Sequence, residues 1–493
     1  MPQFILAIDQ GTTSTRAILF DLQGRIHGTA QQELILRYPH NGWVEQNPES
    51  IWQDTQFVCR GVLEQNNIYP SQVIAIGITN QRETTIVWDR ATGEPLYQAI
   101  VWQDRRTADY CQKLKEQGHE EAVRQKTGLL LDPYFSGTKI KWILDKMSGA
   151  REKAKRGQLA FGTIDCFLLW RLTGGRVHAT DVTNASRTLL YNIVKQAWDD
   201  DLLAMLDIPR NMMPEVRDNS CLFGRTDKNF LGSAVPVTGM AGDQQAALFG
   251  QACFDPGMVK STYGTGCFAL VNIGDIFRVS KNKMLTTVGY RLDGRITYAI
   301  EGAIFVAGAA IQWLRDGIGL IKSAAETEAL AKSVPDNGGV YMVPGFTGLG
   351  APHWNPQARG ALLGLTRATT TAHIVRATLE AQAYQTQDLM QAMAEDAGHA
   401  ITEIRVDGGM ARNNWVCQFL ADITDTAVLR PPNTETTALG AAYLAGLHVK
   451  AFAALKDIQD SWQCERRFVS GMAQGTRQKL YAGWQHAVNQ VLT

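Results

Sequence analysis

The chain has no C-x-x-C pair. Its eight cysteines stand singly at Cys59, Cys111, Cys166, Cys221, Cys253, Cys267, Cys417 and Cys464. That excludes the common zinc and dithiol motifs and suits a reducing compartment. No apolar run approaches the roughly 18–20 residues that cross a bilayer, so no membrane span is expected. No basic block occurs, and 48 Lys and Arg balance 48 Asp and Glu, so nucleic acid is not expected as a partner. The N-terminus lacks a basic stretch followed by an apolar one and a cleavage site, so a cytoplasmic location is expected. Two familiar nucleotide cradles are missing too. No Gly-Lys pair exists, so there is no G-x-x-x-x-G-K-[ST] loop, and Gly348-Leu349-Gly350 runs on into Ala351-Pro352-His353 rather than completing G-x-G-x-x-G after a strand.

What is present reads as alternating strands and helices, the pattern of α/β layers. A length of 493 residues implies two domains of comparable size, with the break at the turn Phe254-Asp255-Pro256-Gly257, giving 1–253 and 254–493. Near the start, Asp9-Gln10-Gly11-Thr12-Thr13-Ser14-Thr15-Arg16 lies between the apolar runs Phe4–Ile8 and Ala17–Phe20 and reads as a hairpin. Hydroxyls and loop N–H groups on such a turn suit a phosphate chain, and Asp9 suits a magnesium ion held through water. An ordinary polar turn has the same pattern. Ser261–Val271 repeats the device around Gly264-Thr265-Gly266, and Asp407-Gly408-Gly409 leads from a strand into a helix marked by Val416, Phe419, Leu420 and Ile423. A glycine turn that opens a helix offers N–H groups to an anion. Together the three turns point to a duplicated nucleotide-binding fold.

Two further apolar runs, Gln72–Thr79 and Val235–Met240, end at Asn80-Gln81-Arg82-Glu83 and Ala241-Gly242-Asp243-Gln244. Polar residues just past strand ends sit where open α/β sheets bind ligands. A solvated Arg82–Glu83 pair and an Asp243 that merely caps a helix beginning at Gln244 account for the same letters. Trp102, Tyr134 and Phe268 flank these positions and fit apolar walls for a small polyol, though each alone fits a core. His373–Gln387 reads as a helix with Ile374, Ala377, Ala381 and Tyr384 on one stripe, and Phe305–Gln312 as a buried helix.

On these residues the chain resembles the FGGY carbohydrate kinases over essentially its whole length. The matching stretches are Asp9–Arg16, Gly42–Glu45, Gly77–Trp88, Ala99–Gln103, Asp132–Lys139, Asp181–Thr188, Met240–Gln251, Ser261–Phe268 and Pro344–Trp354. Asn80–Thr85 and Gly242–Ala247 match the glycerol-phosphorylating members rather than the xylulose, ribulose or gluconate ones. The resemblance implies an α/β fold of two actin-like (ribonuclease H-like, hexokinase-type) ATPase domains around a central cleft. It implies ATP and Mg2+ as cofactors, glycerol as substrate, and a homodimer or homotetramer. It assigns polyol contacts to Arg82, Glu83, Tyr134, Asp243 and Gln244, with Trp102 and Phe268 against the carbons and Asp243 as general base. Nucleotide contacts fall to Thr12, Thr13, Ser14 and Arg16, and to Thr265, Gly308, Gln312, Gly409 and Asn413, with Asp9 near the metal. A kinase for another small polyol or ketose and a non-enzymatic actin-like nucleotide switch remain as alternatives. A switch has no need of the Arg82, Glu83 and Asp243 constellation.

Overall fold

The computed structural model describes residues 2–355 and 357–492. The first sheet contains β1 (Phe4–Gln10), β2 (Ser14–Asp21), β3 (Ile26–Glu33), β4 (Val73–Asn80), β5 (Ser220–Arg225) and β6 (Pro236–Gly242), in the order β3-β2-β1-β4-β6-β5. The second contains β7 (Met258–Tyr263), β8 (Cys267–Gly274), β9 (Leu285–Leu292), β10 (Arg295–Ile304), β11 (Glu403–Asp407), β12 (Val428–Arg430) and β13 (Arg466–Phe468). Its order is β9-β10-β8-β7-β11-β12-β13. From β3 to β5, and again from β10 to β13, successive pairings run antiparallel, antiparallel, parallel, parallel, antiparallel. The two sheets are therefore one plan used twice, with β9 added at an outer edge. Both expected turns, Gly11–Thr13 and Gly264–Gly266, join the first two strands of that plan.

The helices that cover the sheets include α1 (Pro48–Gln65), α2 (Asp243–Gly250), α3 (Thr371–Ala397), α4 (Asn414–Thr424) and α5 (Thr436–His448). They explain why β1 is apolar at every position from Phe4 to Ile8 rather than at alternate ones: both its faces are covered. Leu6 and Ile8 pack with Val58 and Val62 of α1, while Ile5 and Ala7 pack with Ala438, Ala442 and Ala445 of α5. Although α5 comes late in the chain, it lies against the first sheet and α2. Gly440 permits this approach, because a Cβ there would fall 1.8 Å from the Ala246 carbonyl oxygen.

The expected His373–Gln387 helix extends to the whole of α3, with Ala377, Ala381 and Tyr384 buried. The reading of Phe305–Gln312 as a buried helix is corrected. β10 ends at Ile304, Phe305 is 43% exposed, and helix begins only at Gly308. The Ala307 and Gly308 N–H groups instead bond to the Thr265 and Gly264 carbonyls at 2.9 and 3.0 Å. Those bonds tie the connection to the hairpin before a helical turn forms.

Candidate active site

The parallel strands β1, β4 and β6 end side by side at Gln10, Asn80 and Gly242. The residues that follow them, Gly11–Ser14, Gln81–Glu83 and Asp243, therefore share one edge of the first sheet. This is the carboxyl edge at which open α/β sheets place ligands. On the second sheet β7 and β11 end at Tyr263 and Asp407, so Gly264-Thr265 and Gly408-Gly409 share the matching edge. A Cβ on Gly408, whose φ is +87°, would lie 2.4 Å from the Tyr263 carbonyl oxygen, so the two turns sit against each other.

Arg82 and Glu83 are not a solvated pair: they are 3% and 1% exposed. Arg82 Nε lies 3.2 Å from Asp243 Oδ1 and 3.7 Å from Glu83 Oε1. Its Nη2 donates to the Tyr134 hydroxyl at 3.2 Å and to Glu301 Oε1 at 3.1 Å, and its Nη1 donates to Gln245 at 3.2 Å and to Glu301 Oε2. Arg187 Nε donates to Glu83 Oε1 at 2.6 Å, and its Nη2 to Glu301 Oε1 at 3.0 Å. Burial drives the Glu83 carboxyl upward from its ordinary pKa, and Arg82 and Arg187 only partly resist it. Burial acts on Glu301 as well, yet Arg187 and Arg82 outweigh it and hold the group at about 2. The two carboxylates share the same arginines. The difference is that Glu301 receives a fork from Arg82 and a third donor from Arg187, whereas Glu83 receives one close donor, from Arg187.

Asp243 is the first residue of α2, whose N-cap is Gly242. Asp243 Oδ1 accepts the Gln244 N–H at 2.7 Å, a cap-like contact, while its side chain stays 31% exposed. Asp243 is therefore not the cap of a helix beginning at Gln244 but the first residue within the helix, with its carboxylate still accessible. The Gln244 amide oxygen accepts from Lys260 Nζ at 2.5 Å, and the same ammonium donates to the Phe268 carbonyl at 3.3 Å. Trp102 joins the halves of the site. Its ring centroid is 5.5 Å from Tyr134 and 6.5 Å from Phe268, both near edge-on, and its Nε1 donates to Thr12 Oγ1 at 2.9 Å.

The remaining expected contacts divide. Thr265 and Gly308 lie on neighbouring rungs of the backbone bonds already described, Thr265 bonded to Ala307 and Gly308 to Gly264, and Met410, next to Gly409, reaches the same place. Gln312 is exposed one turn further on. Asn413 caps α4 through Oδ1 and donates to Thr327 at 3.3 Å. Arg16 is held by Asp9 and Glu435. Among the described residues no cluster of three or more metal-binding side chains occurs. Magnesium that arrives on a nucleotide needs only one or two carboxylates, and Asp9, 4% exposed with Arg16 on a single oxygen, fits that role.

Arg187, Lys260 and Glu301 were not singled out from the sequence. The available signal was a lone charge in an apolar strand, as in Met258-Val259-Lys260 and Ala299-Ile300-Glu301-Gly302, because a buried charge needs a partner. Which partner was not legible, since Glu301 meets residues more than a hundred positions away.

The N-terminal domain of the FGGY family of carbohydrate kinases matches residues 4–250, and its C-terminal domain matches residues 259–449. The chain is 61% identical over 488 residues to a glycerol kinase of Nitrosomonas eutropha, covering 99% of this chain and 98% of that protein. It is 59% identical over 491 residues to glycerol kinase 1 of Pseudomonas aeruginosa, covering 100% and 99%. A solved Plasmodium falciparum glycerol kinase with ADP aligns at TM-score 0.95 and 36% identity, over 100% of this chain and 99% of that one. A xylulose kinase of Lactobacillus acidophilus, at TM-score 0.89 and 21% identity over 99% and 98%, shares the fold.

Proposed function

The chain belongs to the FGGY family of carbohydrate kinases, and from that premise we propose that it transfers the γ-phosphoryl group of ATP to glycerol, giving sn-glycerol 3-phosphate and ADP. The observation that carries this reading is the buried pair Arg82 and Glu83, with the half-buried Tyr134, beside the accessible carboxylate of Asp243. The near-full-length likeness to glycerol kinases supports it.

Phosphoryl transfer of this kind depends on positioning and charge neutralisation. Asp243 accepts the proton from the attacking primary hydroxyl. Arg82 donates to the hydroxyls and Glu83 accepts from them, Tyr134 and Gln244 complete the polar ring, and Trp102 and Phe268 cover the carbons. Thr12, Thr13, Ser14 and Thr265 face the phosphates from the two hairpins. Gly308, Gln312, Gly409 and Asn413 form the adenosine side. Arg16 acts on the phosphates through Asp9, which it orients. Asp9 would hold Mg2+, which supplies charge neutralisation at the transferring group. We assign the domains to 1–253 and 254–493, a cytoplasmic location, and a homodimer or homotetramer. No helix among the described residues is long and apolar enough to cross a membrane.

A coupled ADP assay across a polyol and ketose panel tests the reading. Glycerol should give the highest kcat/KM, and propane-1,3-diol should be poorer by up to about 10⁴-fold, because it leaves buried polar groups unmatched. ADP release that ignores the polyol, or a preference for a pentulose, would overturn it.

A further inference from the structure

All the polyol contacts proposed above except Phe268 lie in the first domain, yet two of them are held by charges from the second sheet. Glu301, on β10, is 2% exposed and bridges the guanidinium groups of Arg82 and Arg187. Without it, two buried like charges would face each other across Glu83. Lys260, on β7, is fully buried and takes the amide oxygen of Gln244. That bond fixes the amide orientation, so the Gln244 NH2 group is left free to donate. We propose that Glu301 and Lys260 are positioning residues of the polyol site. Through them, the hydroxyl-reading geometry of the first domain is complete only while the second domain is docked against it.

The proposal rests on the assignment of Arg82 and Gln244 to polyol binding. Its physical content is that, among the described residues, Arg82 has no other bidentate partner. Its remaining contacts, to Asp243, Glu83, Tyr134 and Gln245, are single ones of 3.2–3.7 Å. A domain that swings away takes the fork with it. Recognition of the polyol and engagement of the domains then become one event, linked by a pair of buried charges rather than by a lid.

The test uses the full-length enzyme with Glu301→Gln and, separately, Lys260→Met. Each keeps the approximate side-chain volume and removes one charge. The expected result is a rise in the glycerol KM of about 10–100-fold, the scale of losing one charge-assisted hydrogen bond. The KM for ATP should stay near wild type, and the preference for glycerol over propane-1,3-diol should shrink. A purely structural role would lower the folded fraction without separating the two KM values. Two variants on different strands guard against one that does not fold. Wild-type KM and wild-type discrimination in both would overturn the proposal. The crystal structure of Glu301→Gln decides independently of substrate. Arg82 should leave Asp243, and an Arg82 that keeps its 3.2 Å contact would overturn the positioning claim whatever the enzyme phosphorylates. Failure of the wild-type enzyme to act on glycerol would instead overturn the function proposed above.

Discussion

Glu83 has a φ of 61°, a left-handed backbone under a branch-free acidic side chain that is almost fully buried. Such strain gathers at functional positions and persists only where the surroundings hold it. Here Arg187 holds it, through the 2.6 Å bond to Glu83 Oε1. Replacing Glu83 by Gly sets two effects against each other. Relief of the left-handed conformation gains about 1–2 kcal/mol. Arg187 would keep only Glu301 as a carboxylate partner, and breaking one buried pair costs about 3–5 kcal/mol. The second wins, so Glu83→Gly should lower Tm as well as activity, and a thermal melt that rises would refute the balance. At Asp243 the chemistry itself is at stake. Asp243→Asn should cut kcat by about 10²–10⁴-fold with glycerol binding largely kept, measured by steady-state kinetics and calorimetry. Near-wild-type turnover would reduce Asp243 to its contact with the Gln244 N–H. From the letters alone Arg82, Glu83 and Asp243 were recognisable as residues at strand ends, because each follows an apolar strand, and the structure brings them to one sheet edge. The partners that hold them were not, since Arg187 and Glu301 arrive from distant segments.

Two glycines separate packing from binding at the scale of the elements. Gly440 of α5 lies against α2, and a Cβ there would fall 1.8 Å from the backbone oxygen of Ala246. Backbone cannot step aside as a flexible side chain does. Gly440→Ala should therefore push α5 and α2 apart, at an overpacking cost of about 1–3 kcal/mol. Because α2 begins at Asp243, kcat should fall too, by up to about 10²-fold for a misplacement near 1 Å. Gly409 is the contrast, for a Cβ there meets nothing within 4 Å. Gly409→Ala should leave Tm unchanged and raise the KM for ATP, since the open space is the proposed nucleotide side. Differential scanning fluorimetry with steady-state kinetics reads both variants, and a Gly409→Ala enzyme with an unchanged ATP KM would remove that residue from the site. Helix and strand types were legible where both faces are covered, as in β1. The short helix after β10 was misjudged, because hairpin carbonyls capture the N–H groups that periodicity assigned to a helix.

Across the molecule, the stability should depend on a buried acidic pair beneath the active edge. Burial first, and then repulsion from Asp181, pushes Asp165 up to about 7, although Thr163 and Thr180 each donate to it at 2.5 Å. Burial likewise pushes Asp181 up to about 6 against four local donors. The two titrate as a pair. A carboxyl whose folded pKa exceeds its unfolded value near 3.8 binds its proton more tightly when folded. Its contribution is full below pH ~4 and is lost as pH rises through ~7, at about 1.4 kcal/mol per pH unit per proton. Asp165→Asn removes one titration, so wild type should lose Tm relative to this variant between pH 5 and pH 8. Parallel Tm curves for the two proteins across that range would show that Asp165 does not titrate there. The pair also reaches the active edge: Thr183 donates to Asp181 and accepts the Gly242 N–H at 3.0 Å, one residue before Asp243.

The sequence by itself determined the repeated hairpins, the apolar strands, the turns that follow them and the family resemblance. These depend on residues near one another in the chain, where spacing and residue type suffice. Tertiary structure alone decided that β1, β4 and β6 lie side by side, that α5 covers the first sheet from the far end of the chain, and that Glu301 and Lys260 reach across from the second sheet. A buried charge announces that it needs a partner but not which one, because the partner is chosen by how the two sheets meet.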